Sequence, residues 1–116
     1  MKTERFNEVL ENTLSMCSRT LGFKADEYAT EDRLHNFKIA AELQNCTPIT
    51  ALAGMMAKHT VSVYDLIQRH EQGIEVSEKL WDEKIGDSIN YLILLAALVR
   101  EHLDERTQGV TNNESI

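Results

Sequence analysis

The stretch that decides the fold is residues 81–95, WDEKIGDSINYLILL, which has the pattern of one long helix. At about 100° per residue, Glu83, Asp87 and Asn90 fall on one stripe of that helix, and the stripe continues into Leu94 and Ala97. Two acids and an amide would then face the protein interior. Burying a carboxylate costs on the order of several kcal/mol unless a cation, a basic side chain or a ligand compensates for its charge. The sequence therefore predicts that function lies on this helix.

Helix is the expected structure on both sides of this stretch, because the 116 residues include 1 proline and 5 glycines. We expect a first helix over residues 3–21, which Gly22 ends. A second helix is capped by Thr30, has Glu31 and Asp32 in its first turn, and stops near residues 45 and 46.

Two further helices follow from capping signals. Thr47 followed by Pro48 predicts the start of a third helix, which runs to about His70. Ser77 then caps the fourth helix. The periodicity ends after Glu105, so we expect one all-α domain over residues 1–105 and a flexible tail over residues 106–116.

The predicted fold class is all-α, a bundle of the four-helix type. Residues 92–99 of the fourth helix, LILLAALV, leave no polar face, and a bundle of 116 residues is small for covering such a helix. We therefore expect at least a dimer. The apolar residues that this helix carries include Ile85, Ile89, Leu92, Ala96, Val99 and Leu103.

Composition narrows the classes of function. The net charge of −7 argues against an extended nucleic-acid interface, although it permits a small phosphorylated ligand. Cys17 and Cys46 have no metal-site spacing, which indicates free thiols in a reducing cytoplasm. The N-terminus lacks the apolar core of a secretion signal, and no apolar run reaches the length of about 20 residues that spans a membrane.

A second set of polar residues accompanies the stripe on the fourth helix. Asp32 and Asn36 are spaced four apart on the second helix, so they share a face. If the two helices face each other, Asp32, Glu83 and Asp87 offer oxygen ligands of the kind that Mg²⁺ prefers. The side chains that could contact phosphate groups are Lys24, Arg33, Lys58 and His59.

Each of these residues also has a plainer interpretation. Glu83 and Asp87 could form a solvated helix face, and Asp32 could be an acid that the helix dipole favours. His59 could be a core histidine with its hydrogen bonds satisfied, and Lys58 could extend to water. The position of Asn90 in the most apolar part of the chain favours a functional site.

The chain resembles phage MazG-like proteins and the related nucleotide-modification-associated domain, over roughly residues 5–103. The resemblance rests on Lys24-Ala25-Asp26-Glu27-Tyr28, on Asp32-Arg33-Leu34-His35-Asn36-Phe37-Lys38, on Lys58-His59, and on residues 83–91, EKIGDSINY.

This resemblance implies an all-α nucleoside triphosphate pyrophosphohydrolase fold that works as a dimer or tetramer. Glu83 and Asp87 would be the catalytic acids, and with Asp32 they would hold Mg²⁺ while water attacks a dNTP or a modified nucleotide. The implied ligand-binding residues are Lys24, Tyr28, Arg33, Asn36, Lys58, His59 and Asn90. If the gene is phage-encoded, the protein would act in the host-cell cytoplasm.

The sequence also departs from the MazG pattern. MazG enzymes carry an ExxE pair on the earlier helix and an ExxD pair on the later one. This chain has no ExxE in the second helix, and Lys84 stands three residues before Asp87. Because fewer carboxylates hold fewer metal ions, the alternative function is a non-catalytic phage protein that binds or sequesters a nucleotide or a nucleotide-derived signal. A third hypothesis is a helical oligomer whose polar core residues only fix specificity.

Overall fold

The computed structural model describes the backbone of residues 1–27 and 32–114, and the side chains of residues 1–22 and 32–109. The described chain forms four α-helices in the order α1 (Thr3–Glu27), α2 (His35–Gln44), α3 (Pro48–Glu71) and α4 (Glu78–Glu114). The prediction of an all-α fold with four helices is confirmed. None of these helices is both long and apolar enough to cross a membrane.

The capping signals at the starts of α3 and α4 act as predicted. The Thr47 hydroxyl oxygen accepts a hydrogen bond from the backbone N–H of Thr50 at 3.2 Å, and Pro48 occupies the first turn. The Ser77 hydroxyl oxygen accepts from the N–H of Leu80, also at 3.2 Å. Both side chains satisfy backbone donors that have no partner inside the helix.

The end of α2 lies where the sequence predicts it. Asn45 adopts the left-handed conformation at φ 54°, and the backbone N–H of Cys46 donates to the carbonyl oxygen of Ala41 at 2.9 Å. Asparagine tolerates this conformation better than most residues. The chain therefore turns sharply into α3.

Two helix boundaries differ from the prediction. The structure continues α1 through Gly22 to Glu27, because a glycine inside a helix costs only about 1 kcal/mol and the next residues favour helix. The second helix begins at His35, and the Asp32 carboxylate just before it accepts a hydrogen bond from the backbone N–H of Leu34. The predicted cap Thr30 and the neighbouring Glu31 lie outside the described residues.

The fourth helix extends past Glu105 to Glu114, through most of the segment expected to form a tail. A helix that has already formed adds each further residue without a new nucleation cost, so loss of the apolar pattern need not end it.

The core lies between α2, α3 and α4. Leu34, Phe37, Leu52 and Leu98 form its buried cluster, and the side chain of Leu52 is fully enclosed. The neighbouring small residues Ala40, Ala41 and Ala51 let α2 and α3 approach closely.

The first helix is attached differently, since it packs against α4. The buried thiol of Cys17 donates to the carbonyl oxygen of Gly86 at 3.9 Å, and burial raises the pKa of that thiol. At Gly86 the two helices are so close that an added Cβ would lie 3.2 Å from the terminal methyl carbon of Met16.

One copy of the chain leaves much apolar surface exposed. The described residues extend over 63 × 35 × 26 Å, which is an elongated array of helices rather than a closed bundle. Phe6 and Leu14 on α1 are 57% and 54% exposed, and Leu92 on α4 is 55% exposed.

Candidate functional site

A cavity of about 320 Å³ lies where α2, α3 and α4 meet the C-terminal part of α1. Its polar lining includes seven of the residues predicted from the sequence, namely Asp32, Arg33, Asn36, Lys58, His59, Asp87 and Asn90. These residues come from the segment before α2 and from three different helices. The fold therefore brings together side chains that are up to about half the chain apart in sequence.

His59 and Asp87 face each other across the contact between α3 and α4. His59 Nδ1 lies 3.6 Å from Asp87 Oδ2, and the two side chains are 17% and 31% exposed. The hydroxyl of Ser88 donates to the backbone carbonyl oxygen of His59 at 3.4 Å, which links the same two helices. At this distance the two groups are within ion-pair range, so the carboxylate can help to orient the ring.

Aromatic rings form another part of the cavity lining. The ring of Tyr91 lies 4.6 Å from the ring of His59 and 6.4 Å from the ring of Phe37, the latter in an edge-to-face arrangement. Neither Phe37 nor Tyr91 is among the site residues predicted from the sequence. Tyr91 lies four residues after Asp87, so it shares a helix face with a predicted site residue, and that spacing is the signal that could have identified it.

Asp32 is compensated by groups of its own chain. Its carboxylate accepts hydrogen bonds from Lys38 Nζ at 2.6 Å and from the backbone N–H of Leu34 at 2.9 Å. The hydrogen bond from Lys38, followed by that from Leu34, lowers the pKa of Asp32. Lys38 also lies 2.8 Å from Glu101, and its two carboxylate partners raise the pKa of the ammonium group.

The two cationic side chains of the cavity, Arg33 and Lys58, differ in their contacts with the rest of the chain. Arg33 Nη2 donates to the backbone carbonyl oxygen of Leu21 at 2.6 Å, which joins the segment before α2 to α1. Lys58 is exposed, and its ammonium group forms no ion pair with any residue that the structure describes. Lys58 therefore has a charge available for a ligand.

Asn90 is buried between the cavity and the α1 contact, and it is 7% exposed. Its side-chain oxygen is enclosed and has no hydrogen-bond partner among the described residues. A buried acceptor without a donor costs roughly 1–3 kcal/mol. Asn90 is thus a polar group that stability alone does not explain.

Glu83 is not part of this cavity, and the prediction that its stripe runs into the interior is wrong at Glu83 and Ala97. Both residues are exposed, and Glu83 Oε1 lies 3.8 Å from Lys84 Nζ. Glu83 instead lines a neighbouring groove between α1 and α4, to which Asp87 and Asn90 also contribute. Only the middle of the stripe turns inward, because α4 packs against α1 near Gly86 and against α3 further along.

The donor set expected for Mg²⁺ is not assembled in the described part of the chain. Asp32 is bound to Lys38, and Glu83 lines the neighbouring groove. Within those residues, no three His, Cys, Asp or Glu side chains are grouped as metal ligands. Of the remaining predicted ligand contacts, the side chain of Lys24 and the whole of Tyr28 lie outside the described residues.

The cavity thus combines cations, amides and aromatic rings, and comparison with known proteins adds no assignment to it. No family model, no curated protein and no solved structure matches the chain.

Proposed function

We propose that this protein binds a nucleotide, or a nucleotide-derived small molecule, in the cavity between α2, α3 and α4. The observation that carries the proposal is the joint presence of Arg33 and Lys58, the amides of Asn36 and Asn90, and an aromatic wall in one cavity. A nucleotide has a matching set of groups, because it combines phosphates with a planar base that carries donors and acceptors.

Size and charge both support a small ligand. A volume of about 320 Å³ is at the lower end of the range for small-molecule sites, so the cavity suits a single nucleotide rather than a polymer. Lys38, which also pairs with Glu101, offsets part of the charge of Asp32, so the charges of Arg33 and Lys58 are opposed mainly by that of Asp87. The cavity therefore attracts an anion although the whole chain has a net charge of −7.

Hydrolysis by the MazG-like mechanism is the second candidate function. The pairing of His59 with Asp87 favours it, because a histidine oriented by a carboxylate can accept a proton from an attacking water. Glu83 and Asp87 are the catalytic acids that the family resemblance predicts, with Mg²⁺ as cofactor. The exposure of Glu83 and the compensation of Asp32 favour binding over hydrolysis.

The proposal is tested by thermal shift and calorimetry with a panel of dNTPs, dNMPs and inorganic phosphate, with and without Mg²⁺. We expect one or more nucleotides to bind, and Lys58→Ala to weaken that binding roughly tenfold through the loss of a charge-assisted contact. Arg69→Ala is the matched control, since Arg69 is an exposed cation on the same helix outside the cavity. Equal effects of the two variants would contradict a ligand site here.

Pyrophosphate release from the same panel separates the two functions. Release that depends on Mg²⁺ and is abolished by Asp87→Ala supports the hydrolase. Nucleotide binding that is unchanged when Mg²⁺ is chelated, with no release of pyrophosphate, supports the binding protein. If no nucleotide binds or reacts, both nucleotide binding and hydrolysis are overturned. The hypothesis of a helical oligomer whose polar core residues only fix specificity would then remain.

We also propose that the protein self-associates as a dimer or tetramer in the cytoplasm. The support for self-association is the apolar surface that a single copy leaves exposed on α1 and α4.

A further inference from the structure

The outward face of α4 carries an unbroken series of apolar side chains. Successive members are alternately four and three residues apart, which is the spacing of the core positions in a coiled coil. Leu92, Leu103 and Val99 are 55%, 47% and 39% exposed. We name this series the α4 seam, and its six members are Ile85, Ile89, Leu92, Ala96, Val99 and Leu103.

We propose that two copies of this chain pair through their α4 seams in antiparallel orientation. The proposal rests on the self-association proposed above and names its surface. It is independent of nucleotide binding, because no member of the seam lines the cavity.

A second copy is the occupant that the seam fits. At about 1.5 Å per residue the seam is about 27 Å long, and covering it requires another helix with the same repeat over the same length. The buried cluster of the chain faces α4 from the side of Tyr91, Leu94 and Leu98. The fold therefore leaves five of the six seam residues exposed and Ile89 partly buried. The α4 seam of a second copy has this repeat over this length.

Side-chain volumes favour the antiparallel orientation. We consider an antiparallel pair whose helices cross at the level of residue 94. Ile85 then lies opposite Leu103 of the second copy, and Leu92 lies opposite Ala96. Leu92 then fills the space beside the small Ala96, as close packing requires. A parallel pair in register would place Ala96 against Ala96 and leave a gap between the layers of Leu92 and Val99. Ile93, which is 44% exposed beside the seam, would meet its own copy near the two-fold axis.

Charges at the two ends of the seam favour the same orientation. The next positions of the repeat are Asp82 before Ile85 and Arg106 after Leu103. Both side chains are exposed, and neither belongs to an ion pair of the described residues. The antiparallel register sets Asp82 opposite Arg106 at each end, whereas the parallel register sets like charges together.

The surface is tested by measuring molar mass by light scattering and sedimentation over a range of concentrations. We expect the unmodified chain to dimerise and Leu92→Glu to weaken dimerisation at least a hundredfold, with the helical circular dichroism retained. Leu43→Glu is the matched control, because Leu43 is an 83% exposed leucine on α2. A monomeric unmodified chain would overturn both self-association and the seam, whereas a dimer that Leu92→Glu leaves intact would overturn the seam alone.

The orientation is tested by exchanging charges. Asp82→Arg should weaken the dimer roughly tenfold, because two attractive pairs become repulsive. Combining Asp82→Arg with Arg106→Asp should restore the affinity of the unmodified chain. A double variant that dimerises no better than the single variant would overturn the antiparallel register.

Cysteine cross-linking provides an independent test in a Cys46→Ser background, with Cys17 left buried. A mixture of Ile85→Cys and Leu103→Cys chains should form the mixed disulfide, and Ile85→Cys alone should not cross-link. Cross-linking of Ile85→Cys to itself, without the mixed product, would show a parallel pair and overturn the proposal.

Discussion

At the scale of single residues, Asn90 gives the most direct support for the proposed ligand site. Its enclosed oxygen lacks a donor among the described residues, and an apolar side chain would avoid that cost. We predict that Asn90→Leu raises the free energy of unfolding by about 1 kcal/mol and abolishes nucleotide binding. Urea unfolding and calorimetry on the same preparation measure the two effects.

The control for Asn90 is Asn36→Leu, because Asn36 also lines the cavity but is exposed. We expect that change to leave stability within about 0.5 kcal/mol, as is usual for surface positions. A destabilised Asn90→Leu variant would show instead that the amide is needed for the fold.

Asp32 and Lys38 give the protein a dependence on pH whose sign follows from their shifted pKa values. The pKa of Asp32 is lowered in the folded protein, so its stabilising effect is complete above the ordinary value of about 3.9 and is lost as the pH falls through the lowered pKa. The pKa of Lys38 is raised, so its effect is complete below the ordinary value of about 10.4 and is lost only as the pH rises through the raised pKa.

We predict that Asp32→Asn lowers the free energy of unfolding at pH 7 by roughly 0.5–1 kcal/mol. The effect is small because both side chains are more than a third exposed, so water screens the pair. The amide oxygen can still cap the N–H of Leu34, so the variant isolates the charge. The difference from the unmodified chain should shrink as the pH falls through the lowered pKa of Asp32. A difference that persists in acid would mean that the carboxylate charge is not its cause.

At the scale of helices, Gly86 controls how closely α1 approaches α4. A Cβ there would lie 3.2 Å from the flexible end of Met16, so a small addition needs only a slight shift, whereas a branched side chain would push α1 away. We predict that Gly86→Val costs about 1–3 kcal/mol of stability and weakens ligand binding, because Thr20 and Leu21 of α1 line the cavity.

Met16→Ala should recover part of that loss in the double variant with Gly86→Val. Urea unfolding of the two single variants and the double variant gives the coupling energy. Additive effects would contradict a direct contact between these positions.

The helix boundaries show which local signals were sufficient to predict the fold. The hydroxyls of Thr47 and Ser77 bind backbone N–H groups within three residues, so the sequence alone predicts these starts. Gly22 does not end α1, because a glycine only weakens a helix. Residues 106–114 continue α4, because a segment with a weak apolar pattern can extend an existing helix.

At the scale of the whole molecule, a chain that folds and pairs should be more stable at higher concentration. Mass action predicts that the unfolding midpoint rises by roughly 2–3 °C for each tenfold increase in protein concentration. Leu92→Glu should abolish this dependence, and Leu43→Glu should preserve it. Differential scanning calorimetry at three concentrations measures the effect, and a midpoint independent of concentration in the unmodified chain would contradict dimerisation.

The sequence by itself determined the four helices, the residues that cap α3 and α4 and most of the cavity's polar side chains, because periodicity, capping and unusual polar residues are local properties. Tertiary structure alone decided which of these side chains meet. It joined Asp87 to His59, excluded Glu83 from the cavity and neutralised Asp32 with Lys38. It also left five of the six seam residues of α4 exposed. The reason is that a helical stripe is inward only where another helix packs against it, and that depends on contacts between residues far apart in the chain.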